Sequence, residues 1–95
     1  MNTNDEFPLR WAGSLKIALI GYGRMGKAIE ELALERSHTV DLKIDIDTIA
    51  SFTKENLQRC DVAIEFTGPH SAKENILKCL GAGIPVVSGS TGWLN

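Results

Sequence analysis

The sequence predicts an α/β domain: a parallel sheet of about four strands with helices on both faces. Three observations carry that expectation. Short, branched apolar runs alternate with segments of helical period from residue 15 to residue 88. Glycine and proline punctuate the joins between them. A glycine-rich turn, Gly21-Tyr22-Gly23-Arg24-Met25-Gly26, lies where the first apolar run gives way to the first helical pattern. Strands alternating with helices require crossover connections, which make the strands parallel and place the helices over the faces of the sheet.

Residues 15–20 form a short, mostly apolar run that suits a strand buried on both faces. Residues 24–36 read as a helix. Met25, Ala28, Ile29, Leu32 and Ala33 fall on one side of it, and Lys27, Glu30, Glu31 and Glu35 on the other. Ser37-His38 ends this helix, and His38 there is expected as a cation favoured by the helix dipole, without a catalytic role. Residues 39–46 alternate, with Val40, Leu42, Ile44 and Ile46 on one side and Asp41, Lys43 and Asp45 on the other, as in a second strand with a polar face. A short helix is expected over 53–58, capped by Thr53, and a third strand over 62–66. Glu65 lies inside that strand, where pairing with a lysine across the sheet is the expectation. Ser71-Ala72-Lys73-Glu74 matches a capping box and starts a helix that runs to about Leu80, stopped by Gly81 and Gly83 with Pro85 beyond. Residues 84–88 make a fourth strand that leads into the turn Gly89-Ser90-Thr91-Gly92.

Composition narrows the function classes. The chain has 95 residues, 43% hydrophobic and 23% charged, with a net charge of −2. No basic face suggests nucleic acid as a partner, and no apolar run is long enough for a membrane span. A secretory signal needs a basic start and an apolar stretch, and the acidic, polar start here has neither, which points to the cytoplasm. Cys60 and Cys79 stand far apart, outside any metal-binding or redox spacing, and are expected as reduced thiols. Residues 1–14 show no period and end in Gly13-Ser14, which reads as an expression leader or a poorly ordered start, with a native extension folded over the sheet as the alternative; residues 15–95 then make one partial nucleotide-binding domain.

The glycine turn carries the chemistry. It follows a strand and opens a helix within a strand-helix-strand unit, the context that gives G-x-G-x-x-G its meaning as a Rossmann dinucleotide fingerprint. Gly21 permits the tight turn, Gly23 lets a diphosphate approach the backbone, and Gly26 lets helix and strand pack closely. Backbone N–H groups and the positive end of the helix dipole then face the diphosphate. An acid about 20 residues further on accepts hydrogen bonds from the adenosine ribose. Asp45 is preferred for its place on the polar side of the strand, with Asp47 as the alternative. A carboxylate there repels a ribose 2′-phosphate, which leans the reading toward NADH over NADPH; Arg24 and Lys43 are nearby positive groups that soften it. Thr67-Gly68-Pro69 and Gly89-Ser90-Thr91-Gly92 leave the carboxyl ends of strands three and four, where ligands bind in open α/β sheets. No catalytic residue and no metal-ligand set presents itself; His70 is expected to be solvated.

Gly21-Tyr22-Gly23-Arg24-Met25-Gly26, the segment Asp61-Val62-Ala63-Ile64-Glu65-Phe66-Thr67-Gly68-Pro69 and the segment Val86-Val87-Ser88-Gly89-Ser90-Thr91-Gly92 together resemble the 4-hydroxy-tetrahydrodipicolinate reductase family, over residues 15–95. The resemblance implies a bacterial enzyme of diaminopimelate and lysine synthesis that moves a hydride from NADH or NADPH to a small-molecule substrate. It implies that Gly21, Tyr22, Gly23, Arg24, Met25 and Gly26 hold the diphosphate and Asp45 the adenosine ribose. It further implies that Gly89, Ser90 and Thr91 line the nicotinamide, with Thr67 bordering its ribose. The glycine turn is one residue shorter than in many members, and Ser90 stands where a threonine is commoner. The family also implies a second domain with a His-His-x-x-Lys segment, proton donor, substrate groups and a tetramer-forming sheet. Its residues are not among the 95, so this chain is expected to bind cofactor without turning over substrate. The rival readings are the nucleotide-binding half of a homoserine or aspartate-semialdehyde type dehydrogenase, and a non-catalytic NAD-sensing module.

Overall fold

A computed structural model describes residues 13–90. Four strands, β1 (Lys16–Ile20), β2 (Thr39–Ile44), β3 (Val62–Glu65) and β4 (Val86–Ser88), alternate with helices α1 (Arg24–Glu35), α2 (Lys54–Leu57) and α3 (Pro69–Gly81). All neighbouring strands are parallel, in the order β2-β1-β3-β4. The chain steps outward from β1 to β2, then crosses back over β1 to build β3 and β4 on its other side. The direction of winding therefore reverses between β1 and β3, and ligands of such sheets sit outside the carboxyl ends at that reversal.

The core explains the strand order. β1 is central and its side chains are buried on both faces, which is why its sequence is a continuous apolar run. On one face Ala18 and Ile20 pack with Ala63, Leu57 and Cys79 beneath α2 and α3. On the other, Ile17 and Leu19 pack with Ala33 of α1, flanked by Ile29, Val40 and Val62. The expected Rossmann-type sheet with helices on both faces is thus present.

Several boundaries fall where local chemistry outweighs periodicity. The alternation that runs to Ile46 overstates β2, which stops at Ile44, because the Asp45 side chain caps a 3-10 helix over Ile46–Ser51. Thr53 caps α2 as expected, its Oγ1 accepting from Asn56 N at 3.1 Å. The capping box at Ser71 and Glu74 is not used. Gly68 caps α3 at φ 101° and Pro69 takes the first helical position, so the helix starts two residues earlier, with no side-chain cap. α3 does end at the expected glycines, with Gly83 at φ 86°. The apolar stripe of α1 is narrower than its sequence suggests: Gly26 and Ala33 are buried, while Met25 and Leu32 are more than half exposed. His38 Nδ1 accepts from Leu15 N at 3.0 Å, tying the end of α1 to the residue just before β1.

Both cysteines are free and buried. Burial pushes the Cys79 thiol up to about 11, with the nearby negative charge of Glu65 adding to it, and burial raises Cys60 as well. A thiolate is the reactive form. The folded chain should therefore react slowly with a disulfide reagent at neutral pH and release two thiols promptly in denaturant. Fast reaction of either thiol in the native chain contradicts this core.

Candidate functional site

The carboxyl ends of β1, β2 and β3 border a groove of about 700 Å³. It runs from Asp45, Ile46 and Phe52 past Gly21 and Gly23 to Phe66 and Thr67. The first helical turn of α3 contributes Ser71, with Glu74 and Asn75 following. The glycine turn forms its middle, at the reversal point of the sheet.

Each glycine of the turn has a distinct local reason. Gly21 has φ 100°, and a Cβ on it would lie 2.8 Å from the Phe66 carbonyl oxygen. Its N–H donates to Ile44 O at 2.7 Å, so the turn grows directly out of the sheet ladder. A Cβ on Gly26 would lie 2.8 Å from Gly21 O, which is why helix and turn can close together only with glycine here. Gly23 differs. A Cβ there meets nothing within 4 Å. The fold places no steric demand on this position, and its bare backbone faces the groove. Gly23 is also the N-cap of α1 and supplies no side chain to the first-turn N–H groups, which are left without a side-chain cap. Arg24 and Met25 belong to that first turn and are exposed, outside the groove lining.

Tyr22 fixes the outer side of the turn. Its hydroxyl donates to Glu30 Oε1 on α1, and Lys43 of β2 donates to Glu30 Oε2 at 3.1 Å while its Nζ stands 5.0 Å from the Tyr22 ring centre. The bonds from Tyr22 and then Lys43 hold the Glu30 carboxyl below the usual range; the same contacts raise Tyr22 and Lys43. Lys43 is engaged here and does not line the groove.

Asp45 lies at the groove's other side. Its Oδ1 accepts from Asp47 N at 2.9 Å and Thr48 N at 3.0 Å; the Thr48 hydroxyl, whose single proton has Lys43 O at 3.0 Å as its nearer acceptor, stands 3.2 Å from it. Among the described residues no donor reaches Oδ2. One oxygen holds the 3-10 helix, and Asp45 lines the groove. Asp47, the alternative acid, is an exposed residue of the 3-10 helix and is absent from the groove lining. That helix also brings Ile46 and Ile49 to the groove, 88% and 58% exposed. Their apolar shelf was not anticipated; only the recognition that Asp45 and Thr48 form a reciprocal cap would have revealed it.

Glu65 corrects a further expectation. Among the described residues no lysine pairs with it. It is wholly buried, and its carboxylate accepts from Thr67 N at 2.7 Å, from Thr67 Oγ1, from Ser88 Oγ at 2.7 Å and from Ser90 Oγ at 3.0 Å. Burial alone would raise its carboxyl, but the donors from Thr67, Ser88 and Ser90 overcome this and hold it below the usual range. Ser90 Oγ in turn accepts from Gly68 N at 2.9 Å, joining the two loops. Gly89 is explained by packing, since a Cβ there would overlap the Phe66 ring. Gly89 and Ser90 lie beside the groove at the end of β4 and do not line it. Thr91 lies outside the described residues. Among the described residues no group of His, Cys, Asp and Glu could hold a metal ion, and no helix is long and apolar enough to cross a membrane.

Residues 15–95 match the family model described as dihydrodipicolinate reductase, N-terminus. The 4-hydroxy-tetrahydrodipicolinate reductase of Christiangramia forsetii is 47% identical over 81 residues, which is 85% of this chain and 33% of that one. The enzyme of the same name from Bifidobacterium longum subsp. infantis is 34% identical over 80 residues, 83% of this chain and 32% of that one. The chain thus spans about a third of the length of these curated relatives. No solved structure matches it.

The depressed Glu30 carboxyl gives a testable pH effect. A group whose folded pKa is lowered contributes stability that is full above its unfolded value, about 4.3, and is lost as pH falls through the folded value. In Tyr22→Phe the Glu30 carboxyl should titrate closer to its ordinary value, read by carbon NMR of the side-chain carboxyl. An unchanged Glu30 titration in that variant refutes the Tyr22 bond as the main cause.

Proposed function

The chain belongs to the dihydrodipicolinate reductase family, to whose N-terminal part it corresponds, and on that premise we propose that its groove holds NADH or NADPH as the hydride-donor side of a 4-hydroxy-tetrahydrodipicolinate reductase. The observation that carries this reading is Gly23. Its bare backbone is not required by packing, yet it stands at the uncapped start of α1 and faces the groove. That combination suits close approach of a diphosphate to backbone N–H groups and the helix dipole.

The rest of the groove is matched to a dinucleotide. Asp45 Oδ2, which has no donor among the described residues, can accept a ribose hydroxyl, while Ile46 and Ile49 offer an apolar seat for the adenine. The carboxyl ends of β2, β1, β3 and β4 lie in a row with neighbours about 4.8 Å apart. A dinucleotide with its diphosphate at β1 extends one nucleoside toward Asp45 and the other toward Thr67 and Ser90. When bound, the nicotinamide supplies the hydride; the chain binds and orients it. NADH is favoured over NADPH, because a 2′-phosphate would meet the Asp45 carboxylate while Lys43 is engaged by Glu30. Arg24 is the cation left to offset this.

Two measurements test the reading. Gly23→Ala should keep its stability within about 0.5 kcal/mol, since its methyl meets open space, and should bind NADH at least about tenfold more weakly by calorimetric titration. Unchanged affinity refutes the diphosphate placement. Asp45→Asn, which retains a capping side chain, should shift the NADH to NADPH affinity ratio toward NADPH by about threefold or more. A ratio that does not move removes Asp45 from the ribose role.

A further inference from the structure

The cluster around Glu65 fixes the direction of every hydroxyl in it. A serine or threonine hydroxyl has one proton to donate and two lone pairs to accept with. Thr67, Ser88 and Ser90 each give that proton to the Glu65 carboxylate. Each also accepts from one protein donor: Thr67 from Asn75 Nδ2 at 3.0 Å, Ser88 from Ser90 N at 3.3 Å, and Ser90 from Gly68 N at 2.9 Å. A carboxylate is acceptor-only, so no hydroxyl can turn its proton outward without leaving a buried charge short of a donor. What Thr67 and Ser90 have left for a ligand is a lone pair each. Both are only partly buried, at the carboxyl ends of β3 and β4, and Thr67 lines the groove.

We propose that Glu65 is a specificity-determining positioning residue: by taking the hydroxyl protons of Thr67, Ser88 and Ser90, it leaves Thr67 in the groove and Ser90 beside it as acceptors, which take the carboxamide NH2 of a nicotinamide nucleotide and reject the carboxylate of its deamidated analogue. This rests on the cofactor reading above and adds to it the chemical class the second nucleotide must have. A carboxamide offers two N–H donors to the remaining lone pairs. A nicotinate carboxylate offers acceptors to acceptors and also brings a negative charge toward the buried anion of Glu65, a like-charge pairing in a poorly solvated place.

The test titrates the 95-residue chain calorimetrically with NAD+, nicotinic acid adenine dinucleotide and ADP-ribose. NAD+ should bind at least about tenfold more tightly than the acid analogue. In Glu65→Gln the charge is gone and the amide itself donates, so a hydroxyl is released to turn outward. The NAD+ preference over the acid analogue should then shrink to about threefold or less, while ADP-ribose, which lacks the pyridine ring, binds both proteins alike. Equal binding of the two dinucleotides by the unaltered chain overturns the proposal while ADP-ribose binding leaves the cofactor reading standing. Failure of all three ligands to bind overturns both. An undiminished preference in a folded Glu65→Gln variant also overturns the role of Glu65. Should that variant not fold by circular dichroism, Ser90→Ala decides: it keeps the carboxylate and removes one acceptor, and should weaken NAD+ about threefold or more without changing ADP-ribose. An unchanged NAD+ affinity there counts against the proposal.

Discussion

A carboxylate taken out of water costs several kcal/mol unless other groups replace its hydration, and Glu65 sits at the end of β3, wholly buried, with no cation paired to it among the described residues. Four donors replace the water, and they come from three places in the chain: the loop after β3, the last residue of β4 and the loop after β4. Satisfying one charge therefore fixes how two strand ends and their loops sit together. The backbone reinforces this, since Gly89 N donates to Glu65 O at 2.8 Å and continues the ladder past β4. The Phe66 ring then fills the space that Gly89 leaves bare. The groove wall at Phe66 and Thr67 is shaped by that arrangement.

The other side of the groove is built on a second carboxylate with a different division of labour. Asp45 is only half-buried, and a single oxygen handles two backbone donors from its own 3-10 helix. Local capping of this kind competes with continuation of a strand, and here it wins because Thr48 returns the bond to Asp45 N at 2.9 Å. The result turns the chain sharply after Ile44 and carries Ile46 and Ile49 over the groove instead of along the sheet. Tyr22 anchors the turn between the two carboxylates from behind, through Glu30 and Lys43.

This division explains what could be read from the sequence. The parallel sheet, its central strand, the glycine turn and the helix that follows were legible because each rests on contiguous residues: a branched apolar run, a fixed glycine spacing, a 3.6-residue period. The helix beginning at Pro69 was legible as a helix and misplaced at its start, because Ser71 and Glu74 satisfy a capping pattern that Gly68 and Pro69 pre-empt with backbone geometry. The 3-10 helix was hidden, since Ile46 extends the same alternation as Val40, Leu42 and Ile44. Glu65 was visible as an acid in a strand, but its partners lie 2, 23 and 25 residues away and are hydroxyls, which carry no charge pattern to search for. Side-chain networks of this kind are set by strand order, and the order is known only once the sheet is assembled.

Donors and acceptors are distributed along the groove in a definite order. In the middle, at the start of α1, are backbone N–H groups without a side-chain cap and the positive end of a helix dipole, which suit an anion. On either side partly buried polar groups accept: Asp45 in the groove at the end of β2, Thr67 in the groove at the end of β3, and Ser90 beside it at the end of β4. On the proposed reading, the ligand is anionic at its centre and carries hydrogen-bond donors at both ends. A dinucleotide with a carboxamide has that pattern, diphosphate between ribose hydroxyls and an amide. A simple phosphate ester would satisfy the middle alone, and a polyanion would meet the carboxylates at either side. On the proposed reading, selectivity lies in this alternation, which follows from burying one carboxylate fully and leaving another half in water.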